Sequence, residues 1–192
     1  MEIVIFLIAV NVIVFIIPMV FTFGNGMYGS EDAFKSLGYK NNADIQDGEF
    51  YRLLTSNYLH ADVTHLILNM LSLFNIGPFA VAVFGTLQFT IIYLVSGILG
   101  SVFSYFFNPY ANSLGASGAV FGVVGALLAF SILSNESDLY SQLVLVIALN
   151  LGYGLLSGGR IDNWGHLGGF VGGFVLGLVF IVTGFARVSL KF

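Results

Sequence analysis

Six stretches of the chain contain no aspartate, glutamate, lysine or arginine and are dominated by apolar side chains: residues 3–23, 65–84, 87–107, 117–133, 140–156 and 164–185. A membrane-crossing helix needs about 20 apolar residues, with a usable range of roughly 17–25. All six qualify, so the pattern predicts an all-α membrane protein, a six-transmembrane-helix bundle forming a single domain over residues 1–192. The connections 85–86, 108–116, 134–139 and 157–163 are short, which makes neighbouring helices antiparallel. Spans two, four and six therefore begin at one membrane face, and their first turns carry His65, Ser117 and His166.

The connection between spans one and two differs in kind. Residues 24–64 hold Lys35, Lys40 and Arg52 and, ahead of Asp62, five of the ten acidic residues. Structureless connections of this length are uncommon in compact domains, so the segment reads as a structured first loop. Its later part, Phe50-Tyr51-Arg52-Leu53-Leu54 followed by Tyr58-Leu59-His60, is aromatic and amphipathic, as suits the bilayer interface. The opening run has Glu2 where a secretory signal has a basic residue, is too long for the apolar core of one and lacks a small-residue cleavage site. It is read as a span.

Composition narrows the class further. With 57% hydrophobic and 8% charged residues, the chain has too few polar side chains to cover a water-soluble fold of 192 residues, so a lipid bilayer is its expected partner. A net charge of −4 and six scattered basic residues exclude nucleic acid as a partner. The absence of cysteine removes disulfide and thiolate chemistry.

The polar first turns are where chemistry can reside. Ser117 lies between glycines in Gly115-Ala116-Ser117-Gly118, and His166 lies in Asn163-Trp164-Gly165-His166-Leu167-Gly168-Gly169. A serine hydroxyl is a poor nucleophile until a neutral imidazole in hydrogen-bond reach takes its proton, and His166 is the candidate base. His65 and Asn69, four apart on one helix face, are able to donate to a tetrahedral oxyanion together with the Ser117 amide. Each element also has a plain structural reading. Gly-x-Ser-Gly suits helix packing, a histidine near a helix end can bond a carbonyl, and Asn69 can join helices, as can Asn11, Asn75 and Asn150. Their coincidence at one depth favours catalysis.

Asp162, the one acid near His166, is equally placed to pair with Arg160, so a Ser-His dyad is simpler than a triad. Zinc on His60, His65 and His166 is disfavoured, because no span supplies a carboxylate and His-x₄-His is a poor ligand spacing. No metal and no cofactor are expected. Gly165, Gly169, Gly173 and Gly177 in span six and Gly118, Gly122 and Ala126 in span four form smooth faces. If those faces meet, Ser117 and His166 come together.

Taken jointly, His65-x-x-x-Asn69, Gly115-x-Ser117-Gly118 and Gly165-His166-x-Gly168-Gly169 resemble the rhomboid family of intramembrane serine proteases, over nearly the whole chain and in the order of the bacterial six-span core. The resemblance implies Ser117 as nucleophile, His166 as base and then acid, and an oxyanion hole of Asn69, His65 and the Ser117 amide. Phe121 matches an aromatic position that packs on the catalytic histidine. Arg52 matches the arginine of a first-loop Trp-Arg pair, with Tyr51 in place of the tryptophan. Gly165 stands where alanine is usual, and Val81 where many members carry a glutamate, so the family pattern supplies no partner for Arg52 here. The resemblance further implies a multi-pass protein of the cell membrane with cytoplasmic termini and a site opening to the extracytoplasmic side. Its substrates would be single-span membrane proteins entering beside spans two and five, with Gly152, Gly154 and the loop 157–163 lending mobility.

Charge alone points the other way on orientation. With both termini inside, Arg187 and Lys191 lie inside, against Lys35, Lys40, Arg52 and Arg160 outside. Two other functions compete: a catalytically silent rhomboid-like protein that binds membrane helices, and a small transporter or channel. Silent relatives typically lack the serine or the histidine, both present here. A transport path needs polar groups through the full depth of several spans, and here they cluster at one face.

Overall fold

The computed structural model describes residues 1–21, 31–156 and 161–187. Among these, the apolar stretches form six long helices: α1 (Glu2–Phe21), α5 (Val63–Phe84), α6 (Thr86–Phe107), α7 (Ser117–Ser134), α8 (Ser137–Leu156) and α9 (Asn163–Val182). Their ends lie within three residues of the expected spans, and residues 22–23 of the first stretch fall outside the described residues. By length and hydropathy α5, α6, α7 and α9 are each able to cross a membrane. The first loop is structured, with α2 (Glu31–Leu37), α3 (Asn42–Gln46), α4 (Arg52–Thr55) and a 3-10 turn at Ser56–Tyr58.

The helix ends are set by local chemistry. The Asp62 side chain accepts the His65 N–H and caps α5, and the Asp162 side chain accepts the Gly165 N–H and caps α9. Gly85, at φ +90°, turns the chain between α5 and α6, and Asn135 takes the left-handed conformation that ends α7. Asn11 of α1 is fully buried and donates to the Leu7 carbonyl and the Tyr93 hydroxyl of α6, so it does join helices. Asn150 instead bonds its own helix at Val146.

The centre of the bundle is α7, buried continuously from Gly118 to Ser131. Helix α9 packs on it through the two small-residue faces. A methyl group on Gly169 would fall on the Gly118 carbonyl, one on Gly173 on the Gly122 carbonyl, and one on Gly177 within 2.8 Å of the Ala126 Cα. The opposite side of α9 is equally tight, since a methyl on Gly168 would lie 2.7 Å from the Leu99 carbonyl of α6. Backbone thus meets backbone on both sides of α9, the geometry that small residues permit in lipid.

Arg52 is buried although no acid stands at Val81. Its partners lie within the first loop itself: the carboxylates of Glu49 and Asp44, and the carbonyls of Lys35 and Tyr39. The guanidinium also lies 5.5 Å from the Tyr51 ring centroid. The loop therefore neutralises its own arginine.

Gly173→Ala is expected to destabilise the protein by about 1–3 kcal/mol, because neither backbone yields easily. Gly152→Ala meets nothing within 4 Å and should leave the unfolding midpoint unchanged or raise it. Thermal unfolding of both variants in detergent checks the pair.

Candidate active site

Ser117 is the first residue of α7, and the chain is aimed into that position by the residues before it. Gly115 adopts φ +129°, a conformation that favours glycine, and its N–H donates to the Ser56 carbonyl at 2.9 Å. A side chain at 115 would also strike the His65 ring, 2.6 Å from Cε1. The Ala116 N–H donates to His60 Nε2 at 3.4 Å. These contacts fix the backbone immediately ahead of the serine.

From there the geometry follows from the glycine packing. Gly118 and Gly165 are immediate neighbours of Ser117 and His166, and Gly118 lies close against the Gly165 carbonyl. The Ser117 Oγ and His166 Nε2 are 2.9 Å apart. The buried His166 ring stacks on Phe121, with centroids 4.4 Å apart and planes inclined by 12°. With Nε2 facing the serine hydroxyl as acceptor, the imidazole proton belongs on Nδ1, and Nδ1 has no hydrogen-bond acceptor among the described residues. Ser117 and His166 stand as a pair, held by packing and stacking.

Asp162 is engaged elsewhere. Its carboxylate accepts from Ser113 Oγ, from Asn108 Nδ2 at 3.2 Å and from the Gly165 amide at 3.1 Å. Burial pushes its pKa up, but hydrogen bonds from Ser104, Ser113, Gly165 and Asn108 outweigh burial and hold it below the usual carboxylate range. Arg160, the alternative partner, lies outside the described residues, as do 157–160 of the loop expected to be mobile. Gly152 and Gly154 lie within α8.

The other candidates are placed unequally. The His65 ring lies against Gly115 and edge-on to His60, with centroids 5.1 Å apart, two residues from Ser117. Asn69 is buried and donates from Nδ2 to the His65 carbonyl at 3.0 Å, leaving its second N–H for another acceptor. The structure brings Ser117 and His166 into contact and sets His65 beside their loop, but ties Asn69 to its own helix. A cavity of about 40 Å³ adjoins the pair, walled by Ser56, Asn57, Ser101, Ser117, Gly118 and His166. It has room for water and not for a polypeptide.

Three groups shape the site in roles the sequence motifs do not give them: His60, weighed above only as a zinc ligand, Lys40 and Ser113. His60 is buried against the Ala116 amide, and burial first, with His65 second, pulls its pKa down to about 3, so it is neutral at physiological pH. Lys40 is fully buried and spans to the loop 108–113, and Ser113 receives it. Asp162 alone leaves a sequence signal, an acid directly ahead of an apolar run, the mark of a helix cap. Lys40 leaves none, because its partners are backbone groups more than sixty residues away, and Ser113 leaves none, because a single loop serine does not announce its bonds to Lys40 and Asp162.

A serine and a histidine meet at the first turns of two backbone-packed apolar helices, with Phe121 stacked on the histidine, and form the candidate site. The rhomboid domain profile matches residues 47–183. The chain belongs to the rhomboid family and is an integral, multi-pass membrane protein.

The rhomboid protease GluP of Bacillus subtilis is 40% identical over 154 residues, 78% of this chain and 30% of that protein. RHOMBOID-like protein 4 of Arabidopsis thaliana is 43% identical over 143 residues, covering 72% and 36%. Rhomboid-like protease 3 of Toxoplasma gondii is 35% identical over 134 residues, covering 67% and 51%. The matched region thus spans about a third to a half of the length of these relatives.

Asp162 joins α9 to the loop ahead of Ser117 with a carboxylate whose native pKa is depressed, so its stabilisation is present above the unfolded value of 3.8 and is lost as pH falls below it. Asp162→Asn should therefore lower the unfolding midpoint at pH 7 and flatten its fall below about pH 4. Melting curves across that range check it.

Proposed function

We propose that this chain is an intramembrane serine endopeptidase that cleaves membrane proteins within or beside their transmembrane segments. The observation that carries the reading is the 2.9 Å approach of Ser117 Oγ to His166 Nε2 in a partly buried setting. Ser117 Oγ attacks the scissile carbonyl carbon while its proton passes to His166 Nε2, giving a tetrahedral oxyanion. The Ser117 amide and the side chains of Asn69 and His65 donate to that oxyanion. On collapse the C–N bond breaks, and the leaving amine takes the proton from His166. Water then gives a proton to His166 and attacks the acyl-enzyme, releasing the carboxylate product and restoring the serine.

The packing supports a dyad without a third acid. Phe121 and the glycine faces orient the imidazole, and Asp162 spends its oxygens on capping and on the loop. In this proposal all six long helices cross the membrane as one domain, and single-span proteins are the substrates. The termini are cytoplasmic in the cell membrane, with the site opening to the extracytoplasmic side. The burial of Lys40 and Arg52 in a folded first loop supports that orientation. Held within a folded unit, those two residues weigh little in a count of loop charges, and the basic-residue rule no longer opposes the orientation.

Labelling of the detergent-solubilised protein with a fluorophosphonate, paired with cleavage of a single-span substrate in liposomes, tests the proposal. The parent should carry the adduct on Ser117, with Ser117→Ala and His166→Ala unlabelled and inactive. Asn69→Ala should slow cleavage about 10²-fold, the usual loss for one oxyanion donor. Cleavage by Ser117→Ala at the parental rate would sink the proposal, and an unlabelled but folded parent would favour a silent helix-binding protein.

A further inference from the structure

The loop that delivers Ser117 is held from both sides by side chains outside the pair. On one side stands Lys40 of the first loop. Its backbone pairs with Ser113 in both directions, at 2.9 and 3.1 Å, and its Nζ donates to the carbonyls of Asn108 at 3.0 Å and Ala111 at 2.9 Å. The next two residues continue the seam: Asn41 donates to the Asn112 side chain and Asn42 to the Tyr105 carbonyl. On the other side stands Asp162, which accepts from the side chains of the same Asn108 and Ser113.

Asn108 is therefore held by both charged side chains, its carbonyl by the Lys40 ammonium and its amide by the Asp162 carboxylate, while Ser113 is held by the Lys40 backbone and the Asp162 carboxylate. Ser113 lies four residues before Ser117, and Asp162 four before His166. Lys40 has no exposed surface. Burying an ammonium is costly unless it is fully hydrogen-bonded and faces an opposite charge. Burial draws its pKa down to about 8 while the Asp162 charge opposes the fall, so the ammonium persists at pH 7. A lysine kept charged there has a partner to serve.

We infer that Lys40 is a positioning residue, forming with Asp162 an ionic brace across residues 108–113 that sets the separation of the helix starts carrying Ser117 and His166. The brace acts through the loop and touches neither substrate nor the reacting atoms. It rests on the reading of Ser117 as the nucleophile. Its consequence is that the first loop, besides capping the bundle, holds the backbone that aims the serine.

The test uses the full chain in detergent and separates reactivity from binding and from folding. Fluorophosphonate labelling gives the maximal inactivation rate and the half-saturating concentration, and amide hydrogen exchange follows residues 108–116. Lys40→Met keeps the length of the side chain and removes its charge and donors. The expected result is a maximal rate lowered about tenfold to a hundredfold with half-saturation unchanged, the signature of a misplaced reactive group. Exchange at Ser113, Gly115 and Ala116 should quicken while α5 and α9 stay protected. Lys40→Met labelled at the parental rate overturns the inference.

Should Lys40→Met fail to fold, Ser113→Ala removes one of the loop's two side-chain bonds to Asp162 while sparing the backbone bridge, and it must show a rate loss in the same direction. A parental rate in folded Ser113→Ala overturns the brace. A parent that takes no label at all speaks against Ser117 as nucleophile instead. Exchange then decides alone, and unchanged protection of 108–116 in either folded variant overturns the brace.

Discussion

Close contact between the backbones of α7 and α9 is the constraint on which the rest of the structure depends. In lipid there is no hydrophobic force to drive two apolar helices together, so the contact must rest on van der Waals packing over surfaces stripped of side chains. Gly118, Gly122 and Ala126 on one helix and Gly169, Gly173 and Gly177 on the other provide those surfaces. Because Ser117 and His166 open the same two helices, the spacing of the reactive pair is inherited from the spacing of the backbones. A bulkier residue far down the helices would be felt at the site through this geometry alone.

That dependence explains why so much was legible in the chain. The apolar runs are long and uncharged, so the helix ends come out within three residues. Glycines every four residues name the contacting faces, and helix parity puts His65, Ser117 and His166 at one end. What was not legible is how polar groups are consumed. Arg52 finds Glu49 and Asp44 inside its own loop, and Lys40 finds carbonyls across a gap of about seventy residues. The Lys40 partners are backbone atoms, which carry no residue-type signal, and nothing in the sequence pattern singles out which of the loop's acids Arg52 takes, so periodicity and motif reading pass over both.

Asn69 shows the opposite limit. Its spacing from His65 implies a shared face, and the structure agrees, yet the observed bond runs back to the His65 carbonyl. A side-chain amide in a helix commonly makes such a bond in the absence of a better acceptor. One N–H remains uncommitted, and a developing oxyanion is a stronger acceptor than a neutral carbonyl. Apo geometry therefore does not argue against the role, because hydrogen bonds of this type tighten only when charge appears.

The proposed function requires a polypeptide to reach Ser117, and the size of the cavity bears on how. About 40 Å³ beside the pair admits water but no peptide, so some element must move. The α7–α9 seam is a poor candidate, since opening it would separate the serine from its base. The loop 108–116, whose first part the proposed brace holds, is a poor candidate for the same reason, as it leads into Ser117. Helix α8 is different: Tyr140, Val144, Leu145, Val146 and Leu149 are exposed, and of its described apolar side chains only Leu143 is deeply buried. Displacing α8 sacrifices few buried contacts and leaves Ser117, His166 and Phe121 undisturbed. On the proposed function, opening at this edge leaves the Ser117–His166 centre in place, as cleavage of an unwound membrane helix requires.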